Sequence, residues 1–347
     1  MHVGSWKIVR FFLKGAMIAV ILILGTAENR AGGSIEVGIT GYPTDLPKVS
    51  VGSAEKAVKA VKSQFVREMY ADNAVQRKHG TGSPGSVHYT NPRDGYEMVL
   101  IPKGEVIFGT GPDDPYFRVG ETDIEKPQFK ADIPECYIGM YCVTNEQYLK
   151  FVNETGHRPP EQAEWGKPVW KDGKFPENKA KHPVVCVSWH DAKAYCEWSG
   201  LGLPSELQWE KAARGFDGRI YPWGNEWDEK KLRNYNNKGL GTTCAVDDYP
   251  EGTSIFGIYN MSGNVWEWCE DWYENNVYER YARKDLTLPS AGQSKILRGG
   301  SWHGDAPLPF RCGARLPKNP EDRAHWVGFR CVRGPAPSDR LSGRRYR

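Results

Sequence analysis

The stretch HPVVCVSWHDAKAYCEWSGLGLPSELQWEKAARG, His182 to Gly215, holds two helix starts in quick succession. After Ser188, the residues Ala192, Tyr195, Cys196 and Trp198 fall on one side of a helix. Ser205 and Gln208 fit a capping box, in which each side chain satisfies the other residue's backbone N–H, so a short helix is predicted from Ser205 to Arg214. Upstream, Thr144 opens another helix, with Asn145, Tyr148, Phe151 and Val152 periodic. Around these helices the chain from Tyr96 onward carries short β-type runs, MVLIP (Met98–Pro102) and VIFGT (Val106–Thr110), and long loops rich in Gly, Pro, Asn and Trp. Two or three helices among many short strands and irregular loops predict a single α+β domain with little regular secondary structure, not a βαβ repeat.

The 347 residues suffice for one core of roughly 200–250 residues plus extensions, or for two smaller domains. With 39% hydrophobic residues, disorder throughout is excluded. Lys plus Arg number 46 against 43 Asp plus Glu, and they are spread along the chain, so nucleic acid is not expected as the main partner. Only the tail Pro335–Arg347, with Arg340, Arg344, Arg345 and Arg347, is locally basic, and it reads as a solvated end. No Walker loop, HExxH or GxSxG occurs, which removes P-loop nucleotide-binding, zincin and α/β-hydrolase readings. Of 13 Trp, all but Trp6 lie between Trp165 and Trp326. Such rings either fill an irregular, loop-rich core or form an aromatic binding surface.

The N-terminus carries Lys7, Arg10 and Lys14, then the apolar run Gly15–Gly25, then Thr26-Ala27-Glu28. It reads as an export signal cleaved after Ala27, or as an uncleaved anchor beginning near Phe11 that would tether the chain to a membrane. Either places the mature protein outside the cytoplasm. All 8 Cys lie between Cys136 and Cys331, an even number that favours disulfides in an exported chain. Cys136 and Cys142 lie six positions apart in an extended run, about 20 Å, and are not expected to bond each other. Residues 28–95 read as a linker holding one amphipathic helix, capped by Ser53, with Ala54, Ala57, Val58, Val61, Phe65 and Met69 in phase. The main domain is expected over 96–334.

Eight motifs, in order, resemble the formylglycine-generating enzyme, or sulfatase-modifying factor, family. They are GYEMVLIPKGEVIFGT (Gly95–Thr110), YCVTNEQYLKFV (Tyr141–Val152), HPVVCVSWHDAKAYCEWSG (His182–Gly200), LPSELQWEKAARG (Leu203–Gly215), YPWGNEW (Tyr221–Trp227), GIYNMSGNVWEWCEDWY (Gly257–Tyr273), LRGGSW (Leu297–Trp302) and VGFRCVRG (Val327–Gly334). The resemblance implies the family's α+β fold, related to C-type lectins. It also implies oxidation of a sulfatase cysteine to formylglycine, using copper held by two thiolates, which are the soft ligands that Cu(I) prefers. Those cysteines follow the GGS turn in the family, and here Gly304 stands where the first belongs while the loop to Arg311 offers no second. Copper is therefore not expected. Trp266 and Ser301 match the family's oxygen pocket, and Cys312 matches a structural cysteine whose partner position holds Ala213, which leaves Cys269 or Cys186 as its alternative partners.

Further assignments follow from the resemblance. Cys196 and Cys331 match a disulfide pair. Asn260-Met261-Ser262-Gly263-Asn264-Val265-Trp266-Glu267 resembles the calcium loop, with side-chain oxygens from Asn260 and Glu267 and carbonyls from Ser262, Gly263 and Val265. An Asn/Gly turn with Glu267 bonding backbone amides is the competing reading. A second calcium site would begin at Asn234 and Tyr235, but its aspartate is missing. His303, with Asp305, Cys312 or His325, could instead rebuild a metal site, or stand as a solvated loop residue. His190 reads as structural, in a helix first turn. Trp302 and Trp326 flank the altered loop and are expected to line a groove. Two functions remain: an exported binding or accessory protein for a polypeptide or glycan, and a divergent metal-dependent oxidase.

Overall fold

The computed structural model describes residues 88–239 and 242–334, together with the strands Lys7–Leu13, Ala16–Leu22, Ser34–Ile35, Val37–Ile39 and Val49–Ser50. The chain falls into two compact units, Met1–Ala71 and Asp72–Arg347. In the first, Lys7–Leu13 pairs antiparallel with Ala16–Leu22, which pairs in turn with Val37–Ile39. No helix among the described residues is long and apolar enough to cross a membrane. The amphipathic helix expected after Ser53 and the basic tail 335–347 lie outside the described residues.

In the second unit each of the three expected helices forms with the cap its sequence calls for. Helix α1 (Asn145–Thr155) is capped by Thr144 with Gln147, α2 (Trp189–Ser199) by Ser188 with Asp191, and α3 (Glu206–Arg214) by Ser205 with Gln208. All three are reciprocal capping boxes, so the first-turn N–H groups find partners locally. A short α4 (Val277–Ala282) was not evident in the sequence. Strands β1 (His88–Thr90), β2 (Glu97–Ile101), β5 (Cys136–Gly139) and β10 (Val332–Arg333) form one antiparallel sheet in the order β10-β5-β2-β1. The sheet thus begins ahead of Tyr96, inside the segment expected to be linker. Strands β3 (Gly104–Phe108) and β4 (Phe129–Ile133) pair with each other. A second four-stranded sheet runs β8-β7-β6-β9, from Leu316–Lys318, Lys295–Arg298, Trp266–Trp272 and Val327–Gly328, with only β6 and β9 parallel.

The core between helices and sheets is aromatic: Tyr148 of α1 stacks on Tyr195 of α2 at 5.7 Å, and both meet Phe329 edge-on. Helix α3 is buried along its whole length, charges included. Each charge has a partner, as burial demands. Glu206 takes Arg315 through both oxygens, Glu210 pairs with Arg298 and Arg214, and Lys211 donates to the Ile133 carbonyl. Arg311 closes a fourth buried pair on Glu125. These pairs lock the loops that carry the site.

Candidate functional site

Strand β7 ends in the Gly299-Gly300 turn, where φ is +99° and +72°, and a Cβ on Gly300 would come within 2.5 Å of the Phe310 ring. Only glycine fits there, and the turn delivers Ser301 and Trp302 into the protein. Trp302 N–H donates to the Asn264 carbonyl (2.9 Å) and Gly263 N–H to the Gly299 carbonyl (2.8 Å), which pins the altered loop against the expected calcium loop. Trp266 N–H donates to the Trp326 carbonyl (3.0 Å), and the Trp302 indole N–H to the His325 carbonyl (3.3 Å). Trp266, Ser301, Trp302 and Trp326 are thereby held as one group. Trp302, expected as a groove ring, is buried and serves as floor, whereas Trp326 is half-buried.

The rim above that floor comes from several loops. His303 and Asp305 are exposed, and the His303 ring faces His325 at 6.4 Å. Tyr235 lies 6.4 Å from His303, and its N–H donates to the Gly304 carbonyl (2.8 Å). On the other flank the His325 Nδ1 lies 2.5 Å from the Trp165 carbonyl. Lys238 stands over Tyr235 at 4.4 Å and Trp302 at 5.7 Å, and Lys318 over Trp326 at 5.0 Å and Trp165 at 5.4 Å. Among the described residues the exposed large hydrophobic side chains are Trp165 (56%) and Tyr235 (51%), and they sit on opposite flanks of this rim. Neither was singled out as a groove residue from sequence, because exposure is a tertiary property. A separate cavity of about 570 Å³ near Phe117, Asp123 and Lys126 shares none of these residues.

Metal ligands are scarce here. Gly304 brings no side chain, and Cys312 is sealed in the core, its thiol pushed up to about 12 by burial. His303 and His325 are brought together, but Cys312 is not part of their rim, and Asp305 reaches it only through its carbonyl, against Asn236. No group of three or more His, Cys, Asp or Glu able to hold a metal occurs among the described residues. The loop Asn260–Glu267 turns as expected, with Asn260, Gly263 and Asn264 at positive φ. Its carboxylate does not fit a calcium ligand, because Glu267 is fully buried and paired with Arg330 at 2.6 Å. At the second site, Asn234 is buried in an Asn237 turn and Tyr235 belongs to the rim. His190 lies in the first turn of α2, 2.8 Å from Glu321.

The sulfurs of Cys196 and Cys331 lie 3.3 Å apart and buried, as free thiols where α2 meets the last strand region. Cys269 and Cys312 remain separate buried thiols, as do Cys136 and Cys142.

A small α+β domain with three capped helices, two four-stranded sheets, a separate β3–β4 pair and a Gly-Gly-Ser turn feeding an aromatic floor defines a formylglycine-generating-enzyme type of scaffold. Residues 85–335 match the sulfatase-modifying factor enzyme 1-like domain, and the chain belongs to that family. It is 30% identical to the formylglycine-generating enzyme of Mus musculus over 96% of both chains. It is also 30% identical to the inactive C-alpha-formylglycine-generating enzyme 2 of Bos taurus, over 68% of this chain and 88% of that one. Among solved structures, PvdO from Pseudomonas aeruginosa superposes with a TM-score of 0.59 at 28% identity, covering 74% of this chain and all of that one.

Proposed function

We propose that this chain is an exported member of the family that does not generate formylglycine and instead binds a polypeptide or glycan at the rim around Trp302–Arg311. The observation that carries the reading is the exchange at the loop. Gly304 stands at the first thiolate position, while the exposed Trp165 and Tyr235 flank the same loop. Large rings with one wet face bind extended polymers through apolar contact, and the lysines beside them favour anionic groups. The similarity to a relative named as inactive supports the same view.

The test is direct. Purified protein incubated in air with reductant, copper and a cysteine-containing sulfatase-type peptide should leave the peptide unoxidised by mass spectrometry. Conversion to the aldehyde would refute the reading. Trp165→Ala, Tyr235→Ala and a His303→Ala/Asp305→Ala variant, each checked for unchanged folding, should weaken capture of the native partner. The neighbouring imidazoles of His303 and His325, edge-on at 6.4 Å, favour one second reading, a divergent oxidase with a rebuilt metal site. A redox-active ion recovered with the wild type and lost in His303→Ala would select it.

A further inference from the structure

The resemblance assigns the loop Asn260–Glu267 to calcium, yet three of the five ligands it would offer, Glu267, Asn260 and the Gly263 carbonyl, already have partners. Glu267 has no solvent exposure. Its Oε2 accepts from Arg330 Nε at 2.6 Å and from the Trp209 indole N–H at 2.8 Å. Its Oε1 accepts from Arg330 Nη2 at 2.7 Å and from the Cys142 thiol at 3.2 Å. A carboxylate has about four lone-pair directions, and each meets a donor here. The Gly263 carbonyl accepts from Val265 N–H (3.0 Å), and Asn260 Oδ1 from Asn264 Nδ2 (3.3 Å).

The guanidinium is held as completely. Beyond Glu267, Arg330 Nη1 donates to the Gly139 carbonyl (2.9 Å) and Nη2 to the Tyr259 carbonyl (2.8 Å). It therefore binds the end of β5, the entry of the loop and strand β6 at one point, while Trp209 brings in α3. A divalent ion in such a loop neutralises a carboxylate and gathers carbonyls around itself. We propose that Arg330 is the resident cation of this loop, performing calcium's structural role with a planar fork that never loses its charge. Calcium could take Glu267 only by leaving a buried guanidinium without its counter-charge, which is an unfavourable exchange.

The experiment uses the full chain. Wild-type melting curves should coincide in millimolar calcium and in excess chelator, and elemental analysis should find well under one calcium per chain. Arg330→Gln removes the cation and frees the carboxylate, so this variant should melt lower and recover on adding millimolar calcium. The Glu267→Gln/Arg330→Met double variant should melt identically with and without calcium. A wild type that melts lower in chelator overturns the proposal, as does a folded Arg330→Gln variant indifferent to calcium. Where that variant does not fold, the wild-type comparison alone decides.

Discussion

Asp271 on β6 should make this domain lose stability as the solution is brought from mildly acidic to mildly alkaline. The residue is buried, and burial together with the charges of Glu206 and Glu270 pushes its carboxyl up to about 7. The Glu206 N–H, donating at 2.8 Å, and Arg315 oppose that shift. Arg315 is already engaged by both oxygens of Glu206, and Asp271 Oδ1 has no hydrogen-bond partner. Tyr281, Cys269 and Lys295 also lie in its electrostatic surroundings. The sign follows from proton counting. Between the ordinary 3.8 and about 7 the native state binds the proton and the unfolded chain does not, so stability falls as pH rises through that interval and levels off above it. At 1.36 kcal/mol per decade the full effect is on the order of 4 kcal/mol, of which about 2–3 kcal/mol falls between pH 5 and pH 8. His182 works in the opposite direction, because burial lowers its imidazole to about 4 and holds it neutral. Asp271→Asn isolates the carboxyl, since His182 is common to both proteins and any constant offset from the amide cancels. Urea unfolding of both proteins at intervals from pH 5 to pH 8 should give a stability difference that widens in favour of the variant by about 2–3 kcal/mol. Parallel curves across that range would refute the assignment.

Other outcomes are accessible to simple assays. Ser188→Ala removes the α2 cap and the hydroxyl that Arg323 and Asp191 engage, and should cost about 1–2 kcal/mol in urea unfolding. Burial holds the thiols of Cys136, Cys186, Cys244 and Cys312 up at about 12, so iodoacetamide at pH 8 should label them only after denaturation. If Cys196 and Cys331 close into a disulfide in the exported protein, peptide mapping under non-reducing conditions will find them joined, and denatured protein will titrate two thiols fewer than its 8 cysteines. Glu125→Ala takes the two-oxygen partner from buried Arg311, leaving it Asp114 at 3.3 Å, and should destabilise by about 3 kcal/mol, whereas exposed Tyr235→Ala should change stability by no more than about 0.5 kcal/mol.

The three capped helices, the Gly-Gly-Ser turn and the missing thiolate at position 304 were all determined by the sequence itself. The reason is that each is a local statement. A capping box couples residues three apart, a positive φ selects glycine at its own position, and an absent side chain is absent in any fold. The eight ordered motifs carried the family for the same reason, as each is short and contiguous. Helix α3 marks where local reasoning ends: its periodic pattern says where it starts and stops, but not that all of it is buried with its charges paired to distant arginines. Whether Glu267 meets calcium or a guanidinium depends on Arg330, 63 positions away, and the Trp165 carbonyl meets His325 across 160 positions. Such pairings are set by how the sheets and loops stack. The exposure of Trp165 and Tyr235 likewise depends on which neighbours cover them, and those neighbours are chosen by tertiary packing rather than by sequence spacing.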